Sequence, residues 1–226
     1  MLAWLDSADP FPPVERALRN PNGLLAAGAG LSVERLLDAY RRGVFPWYSG
    51  AEPVLWWSPD PRMVLYCDEL KVSRSLAKSL RNKGYELRID SAFAEVLEGC
   101  ASRAEGTWLG PDMQAAYLRL HRAGYAHSFE TWLGHDLVGG LYGVAIGRMF
   151  YGESMFSRST DASKVALARL VSHLRDKGFP LIDCQMHSPL LAALGACEIP
   201  RREFLRALAA LVNYLEPPGN WNRVAT

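Results

Sequence analysis

The sequence predicts an α+β fold in which helices cover one sheet, carried by the second part of the chain and preceded by a small α/β unit. Three observations predict it. Strand-like segments from Ala126 to Leu133, Leu137 to Ile146 and Met149 to Phe156 follow one another across the turns Gly134-His135-Asp136 and Gly147-Arg148, as in a meander. A helix should follow from Ala162 to Lys177, where Leu167, Leu170, Val171 and Leu174 recur at helical spacing and Gly178 supplies the stop. Beyond it, Leu181-Ile182-Asp183-Cys184-Gln185 is too short and apolar for another helix and reads as a buried strand. A meander, a helix and a returning strand make one sheet layered under helices.

The 226 residues suffice for a real core, in one domain or one plus a small companion. A division at residue 62 is expected, giving a small unit over 1–62 and the main domain over 63–226, because Ser58-Pro59-Asp60-Pro61-Arg62 reads as a connector. With 25 basic against 24 acidic residues, any contact with a polyanion must come from a local cluster. No apolar run reaches the roughly 18 residues of a membrane span, and no secretory signal is visible. Cys67, Cys100, Cys184 and Cys197 form no CxxC pair and have no accompanying His pattern. They read as reduced thiols of a cytoplasmic protein, and no metal is expected.

In the small unit, Ser32 can cap a helix carrying Leu36, Leu37 and Tyr40, which Gly43 ends. Then comes an aromatic cluster, Phe45-Pro46-Trp47-Tyr48 and Leu55-Trp56-Trp57. It suits either a small core under loops or a wall for a flat ligand. A strand from Met63 leads to the most basic segment, Lys71 to Arg88, read as an amphipathic helix with Leu76 and Leu80 on its apolar side. Its cations Lys71, Arg74, Lys78, Arg81, Lys83 and Arg88 are either a solvated face or a phosphate-binding patch. Further helices are expected over Ser91 to Cys100 and Gln114 to Arg122, at the Ser188-Pro189 start, and through Leu205, Leu208, Val212 and Leu215.

Two acids stand out. Glu153 interrupts the aromatic strand Tyr151-Gly152-Glu153-Ser154-Met155-Phe156, as the buried partner of an arginine or as a site residue. Asp183 and Gln185 lie two apart on a strand and should share a face, an acid beside an amide.

The element order resembles the fold of the GCN5-related N-acetyltransferases, so the main domain is expected to be GNAT-like. Those enzymes hold the coenzyme pyrophosphate on a glycine-rich turn at a helix start. The matching turn here, Ser157 to Asp161, has no glycine. An acyl-CoA-dependent transferase of small molecules is therefore the alternative reading, and no cofactor is expected.

A closer resemblance lies in the ordered blocks Pro21-Asn22-Gly23-Leu24-Leu25, Gly43-Val44-Phe45-Pro46-Trp47, Trp56-Trp57-Ser58-Pro59-Asp60-Pro61-Arg62, Gly106-Thr107-Trp108, Gly152-Glu153-Ser154-Met155-Phe156-Ser157 and Ile182-Asp183-Cys184-Gln185. They resemble the leucyl/phenylalanyl-tRNA protein transferases over most of the chain from Asn20 to about Arg202. The resemblance implies transfer of Leu or Phe, with Met a further candidate, from aminoacyl-tRNA to a protein beginning with Arg or Lys, marking it for N-degron degradation. It implies a catalytic relay in which Asp183 is the base that takes the amine's proton and Gln185 orients the amine and donates to Asp183; the alternative is that the ribose hydroxyl of the tRNA end shuttles the proton while the protein only positions. It implies Glu153 as a holder of the cationic acceptor, and Leu141, Phe150, Met155, Leu167 and Ile182 as an apolar pocket. Trp47 and Trp108 would stack on the terminal adenine, and Lys71, Arg74, Lys78, Arg81 and Lys83 would meet tRNA phosphates. A monomer without a membrane partner is the expectation.

Overall fold

Two sheets, each built from strands with alternating or wholly apolar patterns, divide the chain. The computed structural model describes residues 2–50, 52–102, 108–214, 219 and 221–222; Gly106, Thr107 and Leu215 of the sequence reading lie outside them. The first sheet has the order β1-β2-β4-β3, with β1 at Ala3–Leu5, β2 at Leu24–Gly28, β3 at Phe45–Pro46 and β4 at Leu55–Trp57. Helix α1, Val33–Arg41, starts where the Ser32 hydroxyl accepts the Arg35 N–H at 3.2 Å. It buries Leu36, Leu37, Ala39 and Tyr40. The aromatic cluster splits: Trp56 is fully buried and donates its indole N–H to the Gly28 carbonyl at 2.9 Å, as a small core would have it, whereas Trp47 stays exposed.

The second sheet has seven strands in the order β11-β5-β10-β9-β8-β7-β6. They are β5 (Arg62–Tyr66), β6 (Glu86–Ile89), β7 (Ala126–Leu133), β8 (Asp136–Ile146), β9 (Met149–Ser157), β10 (Leu181–Gln185) and β11 (Cys197–Ile199). Helices α2 (Arg74–Asn82), α3 (Phe93–Ala101), α4 (Pro111–Arg122), α5 (Ala162–Asp176), α6 (Pro189–Ala193) and α7 (Arg201–Leu211) complete the order. The meander β7-β8-β9 is antiparallel, and α5 carries the chain over to β10, which is parallel to β9 and antiparallel to β5.

Alternation along the strands feeds two cores. On one face Tyr142, Val144 and Tyr151 pack with Phe93, Met113, Tyr117 and Phe204, and with residues of the small unit such as Tyr40 and Phe45. On the other face Phe129, Leu141, Phe150 and Ile182 pack under Leu167 and Leu170 of α5. Gly143 is needed on β8, since a Cβ there would strike the Tyr151 carbonyl and the Phe150 ring.

The expected helix from Lys71 to Arg88 is corrected. It runs over Arg74–Asn82 only, and Gly84, at φ 65, turns the chain into an edge strand paired with β7. Leu87 and Ile89 alternate into the core beneath α5, while Arg88 pairs with Glu86 at 2.7 Å and lies over the Trp132 ring. Arg88, between those apolar positions, continued the basic run of α2 and hid the period of two.

Candidate active site

Pairing between β9 and β10 covers only Leu181–Asp183 against Met149–Tyr151. Past that point each strand carries a bulge. On β9, Tyr142 and Gly143 face Ser154 and Gly152, which leaves Glu153 as the extra residue. On β10, Val64 and Met63 face Asp183 and Gln185, which leaves Cys184 extra. Bulges bend a strand and re-aim its side chains. Here two adjacent ones coincide where parallel pairing stops, and a cavity of about 410 Å³ opens there. Leu141, Met155, Leu167 and Ile182 give it an apolar floor, Glu153 and Gln185 a polar wall, and Trp47 and Trp108 a rim.

Asp183 does not line this cavity. It is fully buried, and Arg62 grips it at both oxygens, Nε to Oδ1 at 2.8 Å and Nη2 to Oδ2 at 2.6 Å. The guanidinium is itself buried between the Phe45 and Phe204 rings and donates to the Gly43 carbonyl at 3.1 Å. Asp183 Oδ1 also accepts the Gln185 backbone N–H at 2.9 Å, at a residue held in the left-handed region with φ 65. Such a conformation costs about 1 to 3 kcal/mol outside glycine. The carboxylate therefore braces the kink that ends β10.

The expected side-chain relay is corrected by the same bulge. The Gln185 amide donates to Glu153 Oε1 at 3.0 Å, and only its backbone meets Asp183. Strict alternation fails once an extra residue is inserted.

Glu153 is held quite differently. Tyr40 of α1 donates to Oε1 at 2.7 Å, Tyr117 of α4 donates to Oε2 at 2.6 Å, and the two phenol oxygens lie 2.9 Å apart. Among the described residues no cation is a hydrogen-bond partner of it. Burial pushes the carboxyl up to about 7, the Asp183 charge adds to the rise, and the three donors oppose it. Burial beside this acid likewise raises both tyrosines well above the usual phenol range. The residue keeps some surface and lines the cavity, while its carboxylate is held by two buried phenols.

Residues 64–209 match the family described as leucyl/phenylalanyl-tRNA protein transferase, and residues 30–60 match its N-terminal domain. A leucyl/phenylalanyl-tRNA protein transferase of Chromobacterium violaceum is 60% identical over 225 residues, 98% of this chain and 97% of that one. One of Thiobacillus denitrificans is 63% identical over 218 residues, 95% and 96% of the two chains. The chain belongs to the leucyl/phenylalanyl-tRNA protein transferase family. Solved structures overlay more loosely: FemX has a TM-score of 0.46 at 11% identity, covering 78% of this chain and 71% of that one, too distant to inform the site.

In this family member the remaining site expectations divide by place. Leu141, Met155, Leu167, Ile182, Trp47 and Trp108 all reach the cavity. Phe150 does not; it is fully buried, beside Gly143 and within 6.1 Å of the Trp221 ring. Lys71, Arg74, Lys78, Arg81 and Lys83 are exposed on α2 and its flanks, outside the cavity. The two regions touch, because Lys71 N–H donates to the Leu194 carbonyl at 2.8 Å, just past α6, whose Leu190 and Leu191 line the cavity. At the start of α5 the Ser157 hydroxyl already accepts the Ser163 N–H at 3.2 Å, and Asp161 pairs with Lys164 at 2.9 Å. A pyrophosphate would have to displace the first bond and meet the second residue's negative charge.

Sequence reasoning missed Arg62, Tyr40 and Tyr117. Arg62 sat in an apparent connector, and Tyr40 occupied an apolar position of an amphipathic helix. The usable signal was the lone acid in an aromatic strand, since a buried glutamate requires donors.

Proposed function

We propose that the chain transfers Leu or Phe, with Met as a further donor residue, from aminoacyl-tRNA to the α-amine of a protein beginning with Arg or Lys. The single observation that carries this reading is an apolar cavity with a lone acid, Glu153, in its wall. An apolar floor suits an unbranched-at-Cβ hydrophobic side chain; an acid suits a cationic amino terminus. Family membership supplies the tRNA donor.

In this reading Leu141, Met155, Leu167 and Ile182 receive the aminoacyl side chain, while Trp47 and Trp108 stack on the terminal adenine, a contact worth about 1 to 3 kcal/mol per base. Lys71, Arg74, Lys78, Arg81 and Lys83 lie along the acceptor stem and bind phosphates, so salt weakens the complex. Gln185 steadies Glu153, and Asp183 with Arg62 holds the bulge that presents both. The donor is an activated ester, so placement dominates: aligned reactants can supply roughly 7 to 11 kcal/mol. The product is marked for N-degron degradation, and the protein works as a cytoplasmic monomer. The two sheets support a division near residue 62, a short unit followed by the transfer domain.

The test is to mix the protein with leucyl-tRNA and a peptide beginning with Arg and weigh the peptide. A gain of one leucine residue is expected. No gain with Arg or Lys peptides, but transfer to a small-molecule amine from an acyl-CoA, would overturn the reading.

A further inference from the structure

The hydroxyls of Tyr40 and Tyr117 and the carboxyl of Glu153 form a closed ring of three oxygen–oxygen contacts, at 2.9, 2.7 and 2.6 Å. Each contact of that length needs one hydrogen between its oxygens. Two phenols bring two. If Glu153 is ionised, one contact joins two lone pairs; if it is protonated, three hydrogens serve three contacts. Gln185 does not change the count, since its amide donates separately to Oε1. With Glu153 ionised the ring is thus one proton short, and that place lies in a residue that lines the cavity where the amine must arrive.

We propose that Glu153 is the base that takes a proton from the acceptor's α-ammonium, and that Tyr40 and Tyr117 are positioning residues that fix its orientation and donate to its ionised form. This rests on the transfer reading above and replaces the role expected of Asp183, whose oxygens are both taken by Arg62. The step balances as follows. The α-ammonium gives one proton to the ionised Glu153, and the freed nitrogen pair forms the C–N bond at the ester carbonyl. The C–O bond to the ribose breaks, its electron pair leaves with the ribose oxygen, and a second N–H proton goes to that oxygen. The third hydrogen stays on the new amide, and Glu153 returns its proton to solvent.

Burial has lifted the acid to about 7, and a free α-amine titrates near about 7.7 to 8.0. The proton transfer is therefore close to balanced, which suits a general base at neutral pH. Several groups face Glu153 from the packed elements. They are Tyr40 from α1, Tyr117 from α4, Tyr142 from β8, and Asp183 and Cys184 from β10, with Arg62 of β5 paired to Asp183. His187 stands at the cavity wall beyond them. Among these, only the two phenols and Gln185 hydrogen-bond the carboxylate, and all three favour its ionised form.

That gives a directional test. Tyr117→Phe removes one donor from the ionised carboxylate without changing the ring's volume, so the carboxyl should rise further. Single-turnover rates with leucyl-tRNA and an Arg peptide should climb with pH around a midpoint of about 7 in the unaltered enzyme. In Tyr117→Phe and Tyr40→Phe the midpoint should move up by about one unit, with KM for the charged tRNA unchanged. A difference infrared spectrum between about pH 6 and pH 8 should lose a carboxylic-acid carbonyl band that Glu153→Gln lacks. This measurement needs no turnover and stands even if a variant is inactive. An enzyme that transfers leucine with an unmoved midpoint in both variants, or with no such band, would overturn this inference and leave the transfer reading standing. An unaltered enzyme that transfers nothing would instead defeat the transfer reading itself.

Discussion

Asp183 and Glu153 lie on adjacent strands, each at a bulge and each at least partly buried, yet their surroundings are opposites. Asp183 has a guanidinium on both oxygens, clamped between two aromatic rings. Glu153 has two phenols and an amide, and it borders a cavity. A buried acid with a matched cation is a strut, because neutralising it would strand the partner. A buried acid held by neutral donors keeps a proton equilibrium near neutrality. Residue type does not distinguish these two outcomes; the neighbours' charge does.

The comparison breaks most visibly at Arg62. Arg62→Met should cost about 3 to 5 kcal/mol in urea unfolding, since Asp183 is left buried without its cation. A loss under about 1 kcal/mol would mean that the pair is not the strut described. Next in size is the cavity floor. Leu167→Ala should change the ratio of Leu to Phe transfer by an amount equivalent to about 1 to 3 kcal/mol, read by competition between the two charged tRNAs. An unaltered ratio would place the aminoacyl side chain elsewhere.

Glu153 has its own signature in stability. Its folded carboxyl is raised to about 7 from an ordinary value of 4.5, so between these values the folded protein binds more protons than the unfolded one. Stability from this group is present at low pH and is lost as pH rises toward 7, with a slope no steeper than about 1.4 kcal/mol per pH unit. Glu153→Gln should flatten that slope in denaturant unfolding, and a slope that persists unchanged would assign the titration to another group. The smallest effect is expected on α2. Lys78→Ala should lower the salt dependence of tRNA binding by roughly one unit of slope, measured by filter binding, while leaving both acids undisturbed.

Much of this arrangement was legible in the sequence. The meander, α5 and β10 follow from apolar spacing and glycine stops, because those signals are local. Glu153 was conspicuous as one charge in an aromatic strand. The pairing of Arg62 with Asp183 was not legible, since the two lie far apart in the chain and meet only through sheet order β5-β10. The relay between Asp183 and Gln185 was misread because period-two reasoning has no means to detect an inserted residue. Tyr40 and Tyr117 look like ordinary core until the fold brings their hydroxyls together.

The most direct measurement is the single-turnover rate of leucine transfer from leucyl-tRNA to an Arg peptide by Glu153→Gln, with both substrates saturating. Gln keeps the shape and one acceptor oxygen but cannot take a proton. The expected result is a folded protein slower by about 10² or more, with the rise near neutral pH abolished. A rate equal to that of the unaltered enzyme would contradict the account.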